Sequence, residues 1–229
     1  MKKVTLLSEE EYLATMRQRI DELKARWNQP RYKSADGEQA KVIAHFVDRG
    51  IQLGEAAFRT RDLPVPLDSL MRVLCDDLIR LLWVSQSEAN AAEYVKSTVS
   101  EWAKMARANI EKGYARIVHR PTGANASAEI LPKLAQYVFK ARPIEQIANE
   151  CGLARVYNIP FRAGSLAVHG NTFPLNGNLH DADHDGLRTL PAINAFLRAI
   201  ILVADNFPDR STTADEILHA LGMTGSHRN

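Results

Sequence analysis

A chain of 229 residues with 45% hydrophobic and 24% charged residues is long enough to bury a sizeable core, as one large domain or two small ones. Its 29 Lys and Arg against 27 Asp and Glu leave a net charge of +2, a balance that argues against long disorder and says nothing about chemistry. No apolar run approaches the roughly 18 residues of a spanning helix. Ser8-Glu9-Glu10-Glu11 follows the basic start too closely for a secretory leader. Cys75 and Cys151 exclude a Cys-built zinc site or a disulfide scaffold. These features predict a cytoplasmic, globular chain with no membrane partner.

Taken in chain order, the elements read as helix after helix. Over 8–28, Leu13, Met16, Ile20, Leu23 and Trp27 recur at steps of three or four, and Ser8 with Glu11 forms a capping box. Over 38–58, Ile43, Phe46, Val47 and Ile51 share one face. Leu63-Pro64-Val65-Pro66 breaks the chain, because each proline fixes φ and disfavours helix before it. Segment 67–86 is apolar nearly all round, the mark of a central helix. Segment 88–118 carries Val95, Val99, Trp102 and Ala106 as its stripe. Residues 120–130 are dense in turn formers, and helical patterns resume over 130–141 and 143–151. In the second of these, Pro143 suits a first helical position and Gly152 a C-terminal cap. Segment 153–169, a polar loop over 170–188, a helix over 190–207 and a capped helix over 214–222 complete the pattern. Sustained period-two alternation is missing. The predicted fold is all-α, one bundle of about eight helices. It divides into an N-terminal pair (8–62), a core (63–209) and a C-terminal helix and tail (210–229).

Charge is less even than its total. Residues 103–142 hold eight Lys and Arg against Glu111 and Glu129, a local +6 that leaves −4 elsewhere. That excess fits either a solvated helix face or a surface for an anionic partner such as RNA. Lys104 and Arg107 are its candidate substrate contacts.

The most informative stretch is Tyr157-Asn158-Ile159-Pro160-Phe161-Arg162-Ala163-Gly164-Ser165-Leu166-Ala167-Val168-His169-Gly170-Asn171. Seven residues of helix advance about 700°, so Arg162 and His169 share a face to within about 20°, with Ser165 between them. A guanidinium can bind the non-bridging oxygens of a phosphodiester and offset charge growing on phosphorus. An imidazole can take a proton from a ribose 2′-hydroxyl or give one to the leaving 5′-oxygen. The expected product is a 2′,3′-cyclic phosphate.

Arg162, six intervening residues and His169 on a late helix resemble the Arg–x4–6–His motif of HEPN domains. That resemblance implies metal-independent ribonuclease activity without a cofactor, in toxin–antitoxin or phage-defence settings. It also implies a homodimer whose two motifs face one site, and a cognate partner such as an antitoxin. Arg162 would hold phosphate and His169 would act as general acid and base. Ser165 and Asn171 would contact substrate, supported by Asp76, Asp77 and Tyr157. The helix around Arg72, Asp76 and Asp77, running into Tyr94, together with Tyr157…Arg162-x-x-Ser165-x-x-x-His169-Gly170, is similar to an uncharacterised bacterial helical family over roughly residues 40–205. HEPN nucleases commonly place a polar residue after the arginine, where this chain has Ala163.

Other readings compete. Arg162 could form a structural ion pair with Asp76 or Asp77 while His169 caps its helix, leaving a non-catalytic dimerisation or protein-binding module. Asp181, Asp183 and Asp185 before Gly186 match the start of a calcium loop, although its twelfth position is Ala192 rather than Glu. Residues 147–153 resemble the first helix and turn of a DNA-binding helix-turn-helix, with Pro160 inside the expected recognition helix. Arg72, Asp76 and Arg80 are spaced for i,i+4 ion pairs.

Overall fold

The computed structural model describes residues 8–33, 36–162, 165, 182–209 and 211–223. The fold is all-α. Among the described residues the one extended pairing is a single antiparallel bridge between Val118 and Asn125. Helix α1 (Glu9–Trp27) starts at its capping box: the Glu11 N–H donates to Ser8 Oγ at 3.3 Å, and the Ser8 N–H donates to the Glu11 carboxylate at 2.7 Å. Hydrogen bonding from the Ser8 N–H, and then from its hydroxyl, holds the Glu11 carboxyl below its ordinary pKa. After a short α2 (Pro30–Lys33) come α3 (Glu38–Arg59) and α4 (Pro64–Ser85). Helix α4 begins at Pro64, within the segment expected to break the chain. A first-turn N–H has no intrahelical acceptor, so proline sacrifices nothing there.

The chain divides into two compact units, Met1–Glu88 with Pro143–Asn229, and Ala89–Arg142. In the first, α9 (Ala182–Asn206) lies against α1, α3 and α4, while α1 packs on α3 and α3 on α4. Ile20, Phe46, Leu78 and Leu197 are buried where these four helices meet. Such side chains stabilise the unit by roughly 1.5–3 kcal/mol each when fully buried. The window Thr189–Asn206, with a mean hydropathy of 1.2, is long and apolar enough to cross a membrane; 61% of it is buried within the fold. Helix α10 (Ala214–Ala220), whose Thr213–Glu216 capping box forms as expected, packs on α9. Cys75 and Cys151 are both buried free thiols, and burial pushes the Cys151 thiol up to about 12. α9 begins eight residues before the expected 190, so the polar composition of 182–188 did not prevent helix.

In the second unit, α5 (Glu88–Glu111) ends before the expected 118. Gly113 sits at φ +73°, its N–H donates to Ile110 O at 3.0 Å, and the Tyr114 N–H donates to Asn109 O at 2.8 Å. This is the Schellman arrangement, which closes a helix through a residue in the left-handed region. Helix α6 (Ser127–Leu134) is likewise shorter than expected. Pro132 has no N–H for the ladder, and Ser100 Oγ accepts the Phe139 N–H at 3.0 Å, a tertiary bond that holds residue 139 outside any helix.

Candidate functional site

The candidate site is assembled on α4 by the chain between α7 (Ile144–Glu150) and Ser165. Gly152, at φ +73°, closes α7 with a second Schellman pair: its N–H donates to Asn149 O at 3.1 Å and the Leu153 N–H to Ala148 O at 2.7 Å. A Cβ at Gly152 would lie 2.9 Å from the Ala214 Cβ at the start of α10. Gly152→Ala is therefore expected to cost about 2 kcal/mol in urea unfolding, and Gly113→Ala, at the same φ but in open space, about 1 kcal/mol. Equal costs would show that the approach to Ala214 is immaterial.

Short α8 (Ala154–Val156) runs into a π-helical turn, Tyr157–Phe161, that packs on α4. Pro160 lies inside this turn. It lacks an N–H, and its ring would collide with the carbonyl four residues back in a regular α-helix, so the wider π turn relieves both conflicts. The Phe161 ring is buried and stacks on Tyr157, with centroids 5.0 Å apart and planes at 24°. From α4 the Arg72 guanidinium lies 4.9 Å over the Phe161 ring and donates to Ser165 Oγ at 2.8 Å. The Ser165 hydroxyl donates in turn to Phe161 O at 2.9 Å. Ser165 is thus an anchor between α4 and the turn, with its donor and one lone pair committed.

Arg162 is exposed, and its described partner is neutral: Nη1 donates to Asn158 Oδ1 at 3.4 Å. Asp76 and Asp77 are engaged elsewhere. Asp76 accepts from Arg80 Nε at 2.9 Å, and Asp77 from Arg49 Nε at 2.8 Å. The Arg162–Asp76 or Arg162–Asp77 ion pair weighed from the sequence is therefore replaced by these two, and Arg72 turns to Ser165 instead of its i,i+4 neighbour Asp76. Asp77 is 5% exposed. Burial pushes its carboxyl above the ordinary aspartate range, with Arg49 acting in the opposite direction.

The remaining sequence candidates fall in three groups. His169, Asn171 and Asp181 lie outside the described residues. Asp183 and Asp185 stand on α9, whose backbone is helical from Ala182. Residues two apart on a helix differ by about 200° around its axis, unlike successive ligand positions of a calcium-binding loop. Lys104 and Arg107 belong to the unit Ala89–Arg142, apart from Arg162 in sequence and in unit, and each is ion-paired on α5, to Glu101 at 2.6 Å and Glu111 at 2.7 Å. The segment expected to supply a recognition helix is the three-residue α8 followed by the π turn, with Val156 and Phe161 buried. A recognition helix presents regular exposed turns to the groove, which this element does not. Arg72 is the site residue whose role the sequence did not reveal; its charge matched a nearer carboxylate in the i,i+4 pattern.

A family model described as a family of unknown function (DUF5677) matches residues 40–187, more than half of the chain. The chain belongs to this family. The DUF5677 segment runs from α3 into α9 and includes Arg49, Asp77, Arg72, the π turn and the whole stretch from Tyr157 to Asn171. No curated protein and no solved structure matches the chain.

Proposed function

We propose that this chain is a HEPN-like, cytoplasmic RNA-binding protein and a metal-independent endoribonuclease of bacterial defence or toxin–antitoxin systems. It acts as a homodimer, controlled by a cognate protein partner. Arg162 holds the non-bridging phosphate oxygens. His169 takes the 2′-hydroxyl proton as O2′ attacks phosphorus, or protonates the 5′-oxygen as its bond to phosphorus breaks. The products are a 2′,3′-cyclic phosphate and a free 5′-hydroxyl.

The observation that supports this reading is the state of Arg162: exposed, with a neutral amide as its described partner, while Asp76 and Asp77 are occupied by other arginines. A guanidinium without a neighbouring carboxylate is available to a phosphate. Incubating the full chain with single-stranded RNA in EDTA tests it. Cleavage with 2′,3′-cyclic phosphate ends is expected; intact RNA across several sequences would sink the catalytic part.

A second reading, a non-catalytic module that binds protein, is favoured by a groove of about 310 Å³ in the second unit. It lies between Val95 and Val99 of α5 and the segment from Gln136 to Phe139, with Val138 76% exposed. Under that reading the parent chain leaves RNA intact in the same assay, and Arg162→Ala behaves as the parent does.

A further inference from the structure

Between α5 and α6 the chain forms a small ordered ribbon. The Val118–Asn125 bridge is flanked by the His119 N–H donating to Ala124 O at 2.8 Å and the Ala126 N–H donating to Ile117 O at 2.8 Å. The Gly123 N–H closes the tip on His119 O at 2.7 Å, and the Ile117 N–H ties the base to Ser127 Oγ at 2.9 Å. Despite this bonding, residues 111–125 are exposed apart from half-buried Ile117. A segment that spends hydrogen bonds on its own shape while burying little is built to present a surface rather than to fill a core.

The surface has one sign. Residues 112–128 contain Lys112, Arg116 and Arg120 and no Asp or Glu. Among the described residues these three have no carboxylate within ion-pair distance. In the same unit Lys104, Arg107, Lys133 and Arg142 are each paired, to Glu101, Glu111, Glu129 and Glu93. Of the eight cations behind the local +6, four are thus ion-paired; besides Lys140, those with no ion pair among the described residues are the three on the ribbon. Beside these cations Tyr114, its backbone set by the Schellman closure of α5, is 78% exposed.

We propose that this ribbon, residues 112–126, is a docking element for single-stranded RNA, with Lys112, Arg116 and Arg120 on successive phosphates and Tyr114 stacked on an unpaired base. Charge complementarity selects a polyanion, and released counterions supply the binding free energy. The free phenol ring selects a single strand, whose bases expose their faces, over a duplex, whose bases do not. The proposal rests on the RNA reading above, but it concerns binding and not the cleavage step.

The test uses the full chain and a fluorescein-labelled 2′-O-methyl oligouridylate, which cannot be cleaved because its 2′-oxygen carries no proton. Binding is read by anisotropy across a salt series. Combined Lys112→Gln, Arg116→Gln and Arg120→Gln is expected to weaken binding about 100-fold at 0.1 M salt and to lower the salt slope by about two. Tyr114→Ala is expected to weaken binding about tenfold with the slope unchanged. Lys133→Gln, which removes a cation already paired with Glu129, should move neither. An unchanged slope in the triple variant overturns the ribbon while leaving RNA cleavage by the parent chain standing. Ribbon-dependent binding without cleavage of ordinary RNA leaves the ribbon standing and sinks the nuclease reading. No binding by the parent chain, or displacement by polyglutamate at equal charge, overturns the ribbon as a nucleic-acid element and assigns it at most to acidic protein.

Discussion

Arg162→Ala is expected to slow RNA cleavage by about 10²- to 10³-fold, the cost of losing one group that stabilises charge developing in a transition state. Its unfolding midpoint is expected to stay where it was. Arg162 is exposed, and its described hydrogen bond, 3.4 Å to Asn158 on the same turn, is long; surface groups of this kind contribute within about 0.5 kcal/mol. His169→Ala is expected to lower cleavage by about 10²- to 10⁴-fold, as removal of a general acid or base does. Arg72→Ala provides the contrast. It loses the bond to Ser165 Oγ and the cation over Phe161, so it should lower stability by about 2 kcal/mol along with activity. Measured side by side, urea midpoints and cleavage rates separate an arginine that acts on substrate from one that holds the turn. Full cleavage by Arg162→Ala would remove it from the mechanism.

The largest effect on stability is expected at Arg49. Asp77 is 5% exposed and Arg49 Nε donates to it at 2.8 Å, whereas the Arg49 side chain is 38% exposed. Arg49→Ala leaves a buried carboxylate without that counter-charge and is expected to cost about 3 kcal/mol in urea unfolding near neutral pH. The pH dependence has a definite sign. Because burial raises the folded-state pKa of Asp77 above its unfolded value, its contribution is fully present below the unfolded pKa, near 4, and is lost as pH rises through the folded value. In Arg49→Ala that loss should extend to higher pH, since the guanidinium that favoured the carboxylate is gone. Glu55, whose carboxyl is lowered chiefly by the Lys24 hydrogen bond, has the opposite sign: its contribution is present above its unfolded pKa and fades as pH falls. The difference between the parent chain and Asp77→Asn across pH 4–7 therefore isolates Asp77. An Arg49→Ala midpoint equal to that of the parent would show that the pair contributes nothing.

What could be read from the sequence is what neighbouring residues decide among themselves. Both capping boxes, Ser8–Glu11 and Thr213–Glu216, form as their spacing requires, because donor and acceptor lie within one turn. The apolar stripes of α1, α3 and α9 placed Ile20, Phe46 and Leu197 in the core, since a helix with one oily face must bury it. Gly152 closes α7 for a reason equally local. The all-α class follows from these signals together, and so does the surplus of positive charge over 103–142.

Tertiary structure decided whatever depends on which distant groups meet. Arg72 had an adequate partner four residues away, yet it engages Ser165, 93 positions along the chain, once the π turn has brought Phe161 under its guanidinium. Asp77, one of a pair of adjacent aspartates, became the buried member because α3 delivers Arg49 to it. The +6 stretch looked uniform as a sequence; only the fold pairs Arg142, Lys104, Arg107 and Lys133 with Glu93, Glu101, Glu111 and Glu129 and leaves those of the 112–126 ribbon without an ion pair among the described residues. Periodicity and capping are set by backbone geometry within a turn or two and are written in the local sequence. The partner of a long charged side chain is set by which helices pack together, and several candidates along the chain satisfy the local rule equally well.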